Sequence, residues 1–409
     1  MRHCHLWKKK LLATMFVCSV PVSATHASGF RVPELSVAGT ATSNALVANV
    51  DELGAVAYNP AAISFHEGKN VMIGVNSVSY EATVTPAGGT STDSIGKDHF
   101  LIPNMLVSTT DDSGVGFAFL VNSPFGLETQ WPDETFPGFA GGLDVLEPEL
   151  SRIKMLNLSP NLSYKIDTNS SVAFGLNYYD VINLSFNTQN IRIEGTGNGI
   201  GFNVGYLHKM DNVNIGISYK SGVSTNIKGH FDARGIGSSV VSASAKLDFP
   251  DVLQIGVQYN PTKNLGIEFD LDHTGWSSFD EVKVINSTGG TLTSSNNAWE
   301  NTWAYRLGFV YKLTPKTKLL FGYTFDESPQ PDSNFSARVP DADRQLFSVG
   351  ASHEFDEWKV EYSYMYVDVD DRTVNSSTAY AGDANGTTLY NGTYQSDVSL
   401  IGLSLAMKF

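Results

Sequence analysis

At 409 residues, with a net charge of -15, 17% charged and 11% aromatic residues, the chain is too aromatic for a disordered polymer and too acidic for a nucleic-acid partner. Its two cysteines, Cys4 and Cys18, fall in the first 27 residues, so the rest of the chain has neither a disulfide framework nor a thiolate metal site. Few charges and no long apolar helix is the balance of a transmembrane β-barrel, whose strands face lipid on one side and a polar lumen on the other.

The start of the chain predicts export. Arg2 with Lys8, Lys9 and Lys10 forms a basic region, Leu11–Val22 an apolar run, and Ala24 and Ala27 small residues for cleavage. The run is shorter than the ~18–20 residues of a spanning helix, so residues 1–27 read as a signal peptide. Its loss removes four basic and no acidic residues and takes the charge to -19. Cys18 lacks the small upstream residue that lipid-anchor sites favour.

Residues 28–67 keep neither helical nor strand periodicity. They are rich in Ala, Gly, Ser and Asn, and Pro33 and Pro60 interrupt them. Over 68–409 the period is two. Leu156, Leu158, Leu162 and Tyr164 alternate with Asn157, Ser159, Asn161 and Ser163, and Trp303, Tyr305, Leu307 and Phe309 alternate with Ala304, Arg306 and Gly308. A soluble sandwich would alternate too, but two features favour a membrane barrel. Short connections near 111–113, 167–170, 210–212 and 354–357 alternate with long ones near 86–97, 127–150, 327–343 and 371–394, with Gly195–Asn198 a compact exception. The last strand sets Ile401, Leu403, Leu405, Met407 and Phe409 on one face, an ending like the signal read by the barrel assembly machinery.

Counting between connections predicts an all-β fold, a 14-stranded antiparallel transmembrane barrel in the outer membrane of a Gram-negative bacterium. Tyr164, Tyr178, Tyr219, Tyr259, Trp276, Trp303, Tyr311 and Tyr323 are candidates for its aromatic belts, with the lumen as the alternative place for some of them. Wall side chains cannot fill a barrel of that width, and left open it would leak. Residues 28–67 join the first strand at the periplasmic end, so they are read as a hatch plugging the lumen. In the third strand, Pro124 follows Val115–Asn122 and offers no amide for the ladder, while Gly126 lets the backbone bend. Ladder bonds left unmade in lipid cost several kcal/mol each, so the chain should turn inward there; the alternative is that Pro124 only ends the strand early.

These residues resemble the long-chain fatty acid outer-membrane transporter family, the FadL type, which includes aromatic hydrocarbon transporters. Ser28-Gly29-Phe30 is similar to the family's mature N-terminus and Asn59-Pro60-Ala61 to the motif of its hatch. Ser123-Pro124-Phe125-Gly126 resembles the kink in its third strand, and Phe249-Pro250, Trp276-Ser277, Ala304-Tyr305-Arg306, Phe325–Pro329 and Val339–Arg344 recur in order. The resemblance implies uptake of a hydrophobic ligand, most plainly a long-chain fatty acid, by ligand-gated diffusion past the hatch and out through a lateral opening at the kink. It makes Phe30 a ligand-pocket residue and makes the Asn59 and Ser123 motifs gating elements. The family's carboxylate-binding basic positions align with Leu184 and Asn297, leaving Arg192, Lys283 and Arg306 as replacements, with Arg306 facing inward and able to pair with Glu268 or Asp270.

Glu34-Leu35-Ser36-Val37 faintly suggests an energy-coupling box, but so short a plug points to ligand-triggered diffusion. Uptake of aromatic hydrocarbons or alkanes is the alternative within the same fold. A lipase-like enzyme using His99 or His230, or a general porin, is the alternative outside it; no catalytic motif marks the spacing. No cofactor or metal site is implied: Asp368, Asp370 and Asp371 alternate like hard-cation ligands, but read rather as a solvated acidic loop that divalent ions can bridge to lipopolysaccharide. The expected partners are the hydrophobic ligand, outer-membrane lipid and the assembly machinery, with the protein a monomer.

Overall fold

The computed structural model describes residues 29–96 and 99–409. Residues 1–28, where the signal peptide is expected and where both cysteines fall, lie outside the described residues.

Fourteen wall strands, counted among the described residues, form one antiparallel sheet that closes on itself. They are β1 (Gly68–Pro86), β2 (His99–Thr110), β3 (Val115–Asn122 and Gly126–Gln130), β4 (Pro148–Lys165), β5 (Ser170–Thr188), β6 (Arg192–Lys209) and β7 (Val213–Lys220 and Val223–Asp232). Next come β8 (Val240–Phe249 and Val252–Thr262), β9 (Leu265–Thr274 and Glu281–Asn286), β10 (Thr291–Asn296 and Thr302–Thr314), β11 (Thr317–Asp326), β12 (Arg344–Phe355), β13 (Trp358–Val369) and β14 (Gly392–Lys408). Closure comes from β14 on β1, paired from Asn70↔Lys408 to Pro86↔Gly392.

The two-residue period explains the wall. Ile73, Leu162, Phe174, Ile200 and Ile401 point outward and are exposed, whereas inward Asn70, Asn76, Asn104, Ser159 and Asn161 are buried. Of the belt candidates, Tyr164, Tyr259, Trp303 and Tyr311 are exposed. Trp276 is not part of any belt: it is fully buried in an interior aromatic cluster, because its strand breaks between Thr274 and Glu281 and turns it inward. Gly195–Asn198 is also not a connection. It lies within β6, and the turn falls at 189–191. Its glycines answer a packing demand, since a Cβ on Gly197 would lie 2.5 Å from the Asn226 carbonyl oxygen of β7.

The N-terminal segment fills the lumen. Of residues 30–64, only Val32 and Asp51 are not buried. Ser36 caps the short helix α1 (Val37–Ala41), its Oγ accepting from the Gly39 amide at 3.0 Å. Leu53–Ala57 and Pro60–Phe65 form 3-10 turns. So short a segment has no core of its own and buries its Ala, Val and Leu side chains against the wall. The wall in turn gives up side chains where this backbone passes. A Cβ on Gly216 would lie 2.1 Å from the Val47 carbonyl oxygen, and one on Gly322 2.2 Å from the Thr42 carbonyl carbon.

Candidate functional site: a cavity above the luminal segment

Polar contacts hold the segment from two sides. Toward β9, the Val47 amide donates to Asp270 at 3.0 Å and the Ala48 amide to Glu268 at 2.6 Å, while Arg31 pairs with Asp272 at 2.8 Å. Glu52 is fully buried between Lys318 of β11 (2.5 Å) and Lys359 of β13. Burial alone would push this carboxyl up, but the two lysines outweigh it and hold it down to about 2. Toward β5 and β6, Asn59 caps its turn through the Ala61 amide (3.1 Å) and donates to the Tyr206 carbonyl (2.9 Å), and Ser171 donates to the Ala61 carbonyl (2.7 Å). Pro60, at the first position of that turn, needs no amide partner.

β3 is interrupted where Pro124 stands. Its pairing with β2 stops at Met105↔Val121, so His99–Asn104 is paired with β1 only. β3 does stay on β4, through Asn122↔Asn157 below the break and Gly126↔Lys154 above it. The groups freed by the break find partners inside. The Val32 amide donates to the Pro124 carbonyl (2.8 Å), the Gly126 amide donates to the Phe30 carbonyl (3.0 Å), and Ser123 Oγ donates to the Met155 carbonyl (2.8 Å). The luminal segment thus takes the place of the missing ladder.

A cavity of about 690 Å³ lies beside this break. Its floor is Phe30, Arg31, Val32 and Glu34, and Phe100, Ile102, Leu127, Ile153, Met155 and Leu400 give it an apolar wall. Its lining also includes two outward residues, Leu101 of β2, 72% exposed, and Ile182 of β5, 49% exposed. Above the break, the Ile95 amide donates to the Gln130 carbonyl at 2.8 Å. Phe30 closes one side with Phe125, Phe249, Trp276, Phe279 and Trp299, at ring separations from 4.7 to 6.3 Å.

The charged groups in this cavity are engaged with one another. Lys154 and Arg152 share Glu128 (3.3 and 2.8 Å), and Arg344 pairs with Asp326 (3.3 Å). Asp341 of the outer loop accepts from the Gly29 amide (3.1 Å) and Ser328 Oγ (2.6 Å), and Glu34 accepts from Asn44 (3.0 Å). Burial pushes both the Asp341 and Glu34 carboxyls above the usual range.

Among the sequence candidates, Phe30, Ser123, Phe125 and Gly126 line the cavity, while Pro60 and Pro124 line a small void below it. Arg306 does not line it. Fully buried, it pairs with Asp272 (3.0 Å) rather than Glu268 or Asp270, which hold backbone amides instead. Arg192 pairs with Glu149 in the outer part of the wall, and Lys283 points away from the interior. His99 lines the cavity, whereas His230 lies on β7 beside Glu194, so the two are not brought together. Leu184 and Asn297 are buried, Leu184 among the apolar residues around Phe30. Glu34-Leu35-Ser36-Val37 is buried as well. Sequence reasoning does not single out Arg31, Lys154 or Arg344, although Arg344 ends the hexapeptide Val339–Arg344.

A family model described as "Outer membrane protein transport protein (OMPP1/FadL/TodX)" matches residues 18–409. A "47 kDa outer membrane protein" of Pasteurella multocida is 27% identical over 393 residues, covering 85% of this chain and 89% of that protein. The "Long-chain fatty acid transport protein" of Escherichia coli is 23% identical over 424 residues, covering 88% and 93%. In fold, the chain resembles a Pseudomonas aeruginosa FadL homologue (TM-score 0.78, 20% identity, 93% of this chain and 100% of that one). It also resembles the Ralstonia pickettii toluene transporter TbuX (TM-score 0.70, 15% identity, 92% and 100%).

Proposed function

The chain belongs to the outer membrane protein transport protein family of FadL and TodX, and from that premise we propose that it takes up long-chain fatty acids by ligand-gated diffusion. The fatty acid enters the cavity from outside, displaces Phe30 and the strand segment beside it, and leaves sideways into the membrane between β2 and β3. Asn59, Pro60 and Ala61 hold the hatch against the wall, and Ser123, Pro124, Phe125 and Gly126 form the break through which the ligand passes. Residues 1–27 act as the signal peptide, 28–67 as the hatch and 68–409 as the barrel. The protein works as a monomer, without catalysis, in contact with lipid and lipopolysaccharide.

The observation that carries this reading is a large apolar cavity whose lining includes the outward residue Leu101, beside strand residues that pair on one side only. Its volume is far beyond the needs of a single aromatic ring and lies within the range of sites for drug-sized ligands. Each methylene moved from water into it is worth about 0.8 kcal/mol, so a long acyl chain gains most. The second reading is aromatic hydrocarbon uptake. It is favoured by the aromatic ring cluster around Phe30 and by Leu184 and Asn297 standing where a carboxylate-binding pair would be.

Uptake measured in a deletion strain with a panel of fatty acids, alkanes and monoaromatics separates these readings. Long-chain acids should restore growth with this protein and not without it. Selective rescue by aromatics would favour the second reading. Unchanged hydrophobic uptake with loss of small polar solutes would mean a porin.

A further inference from the structure

Below the break, five inward side chains stand in a row across five strands: Asn122 of β3, Asn157 of β4, Asn177 of β5, Asn203 of β6 and Lys220 of β7. Asn122 is directly opposite Asn157, and Asn203 directly opposite Lys220. The four amides link sideways. Asn157 Nδ2 donates to Asn122 Oδ1 (3.2 Å) and to Asn177 Oδ1 (3.3 Å), and Asn203 Nδ2 donates to Asn177 Oδ1 (3.3 Å).

The row is left incomplete. All four asparagines are more than nine-tenths buried, yet Asn177 Nδ2, Asn157 Oδ1 and Asn203 Oδ1 have no partner among the described protein atoms. Buried polar atoms without partners are costly, and three of them in one row can serve a polar group that enters beside them. Lys220 adds to this. Its Nζ donates to the Ala57 carbonyl at 2.9 Å, and among the described residues no carboxylate lies within ion-pair distance of it. The cations of the large cavity, by contrast, already hold carboxylates.

The row lines a void of about 20 Å³ bounded on the hatch side by Leu35, Val56 and Pro60 and on the wall by Pro124. Ser123 and Phe125, on either side of Pro124, line the large cavity. The two spaces therefore lie on either side of the three-residue break, and the void has room for about one water.

We infer that this row is a transit site for the carboxylate of a long-chain fatty acid, a step that rests on the sideways exit proposed above. An acyl chain sliding out between β2 and β3 draws its headgroup down past Phe125. A carboxylate taken from water without partners is costly. Withdrawal of Leu35 with the moving hatch joins the two spaces, and Lys220 with the Asn177 amide then receives the headgroup while the tail enters lipid. An uncharged hydrocarbon has no use for the row.

The test compares Lys220→Met and Asn177→Leu with the parent protein, measuring initial uptake of oleate and of its methyl ester, and oleate binding to purified protein. Loss of a charge-assisted contact predicts at least about a tenfold fall in oleate uptake for Lys220→Met. Ester uptake, which also reports a folded barrel, and equilibrium oleate binding should hold, and Lys220→Arg should recover much of the rate. Acid and ester falling together, or neither falling, overturns the proposal. A parent protein that carries neither compound overturns the fatty-acid reading beneath it, and the proposal with it.

Discussion

Replacing Glu52 by alanine is expected to free the hatch from the far wall without unfolding the barrel. The change leaves Lys318 and Lys359 facing each other inside the lumen, although Glu361 still holds Lys359 at 2.7 Å. Removing one partner of a buried ion pair costs about 3–5 kcal/mol. The depressed carboxyl gives a similar size, since a fall from 4.5 to about 2 corresponds to about 3 kcal/mol. The sign comes from that depression. The anchor's contribution is complete above the ordinary carboxyl value and is lost as pH falls from 4.5 toward about 2. Purified Glu52→Ala protein in planar bilayers should conduct ions at neutral pH, and the parent should begin to do so only in strong acid. Equal, closed conductance of both proteins at both pH values would mean that this cluster does not hold the hatch.

The second large effect is expected at the break. Pro124→Val combined with Gly126→Val restores an amide donor and stiffens the backbone, so β3 can continue along His99–Asn104. A side chain at position 126 has room, because the nearest atom to a Cβ there is 3.7 Å away. The double variant should take up long-chain acids at least about tenfold more slowly, the equivalent of about 1.4 kcal/mol on the exit step. Binding to purified protein should persist, since most of the cavity lining is untouched. Unchanged uptake would show that Pro124 and Gly126 do not shape the route.

Much of the fold could be read from the chain because two solvents impose the same alternation on every wall strand. Asn157, Ser159, Asn161 and Ser163 alternate with apolar outward residues, and each of the four is buried inside. Pro124 likewise marked the break, because a missing amide is a local property of one residue. Interior partnerships were less legible. Arg306 is opposite Asp270 in the register, yet its side chain reaches Asp272, which also takes Arg31 from the hatch. No period in the sequence brings position 31 to position 272. The choice between belt and lumen for Trp276 is illegible for the same reason: the residues beside it suit a membrane belt, but the break in β9 sends it inward to Phe30. The asparagine row was visible only one strand at a time, since its meaning depends on which atoms remain unbonded after five strands pair.

The sideways exit is tested most directly by tying β2 to β3 across the gap. Outside residues 1–27 the sequence has no cysteine, so Ile102→Cys with Leu127→Cys places two unique thiols on the cavity walls that border it. A short reducible bis-thiol linker between them should abolish fatty-acid uptake, and reduction should restore it. Uptake that continues at the parent rate with the gap tied shut would contradict the account and send the ligand straight down through the lumen.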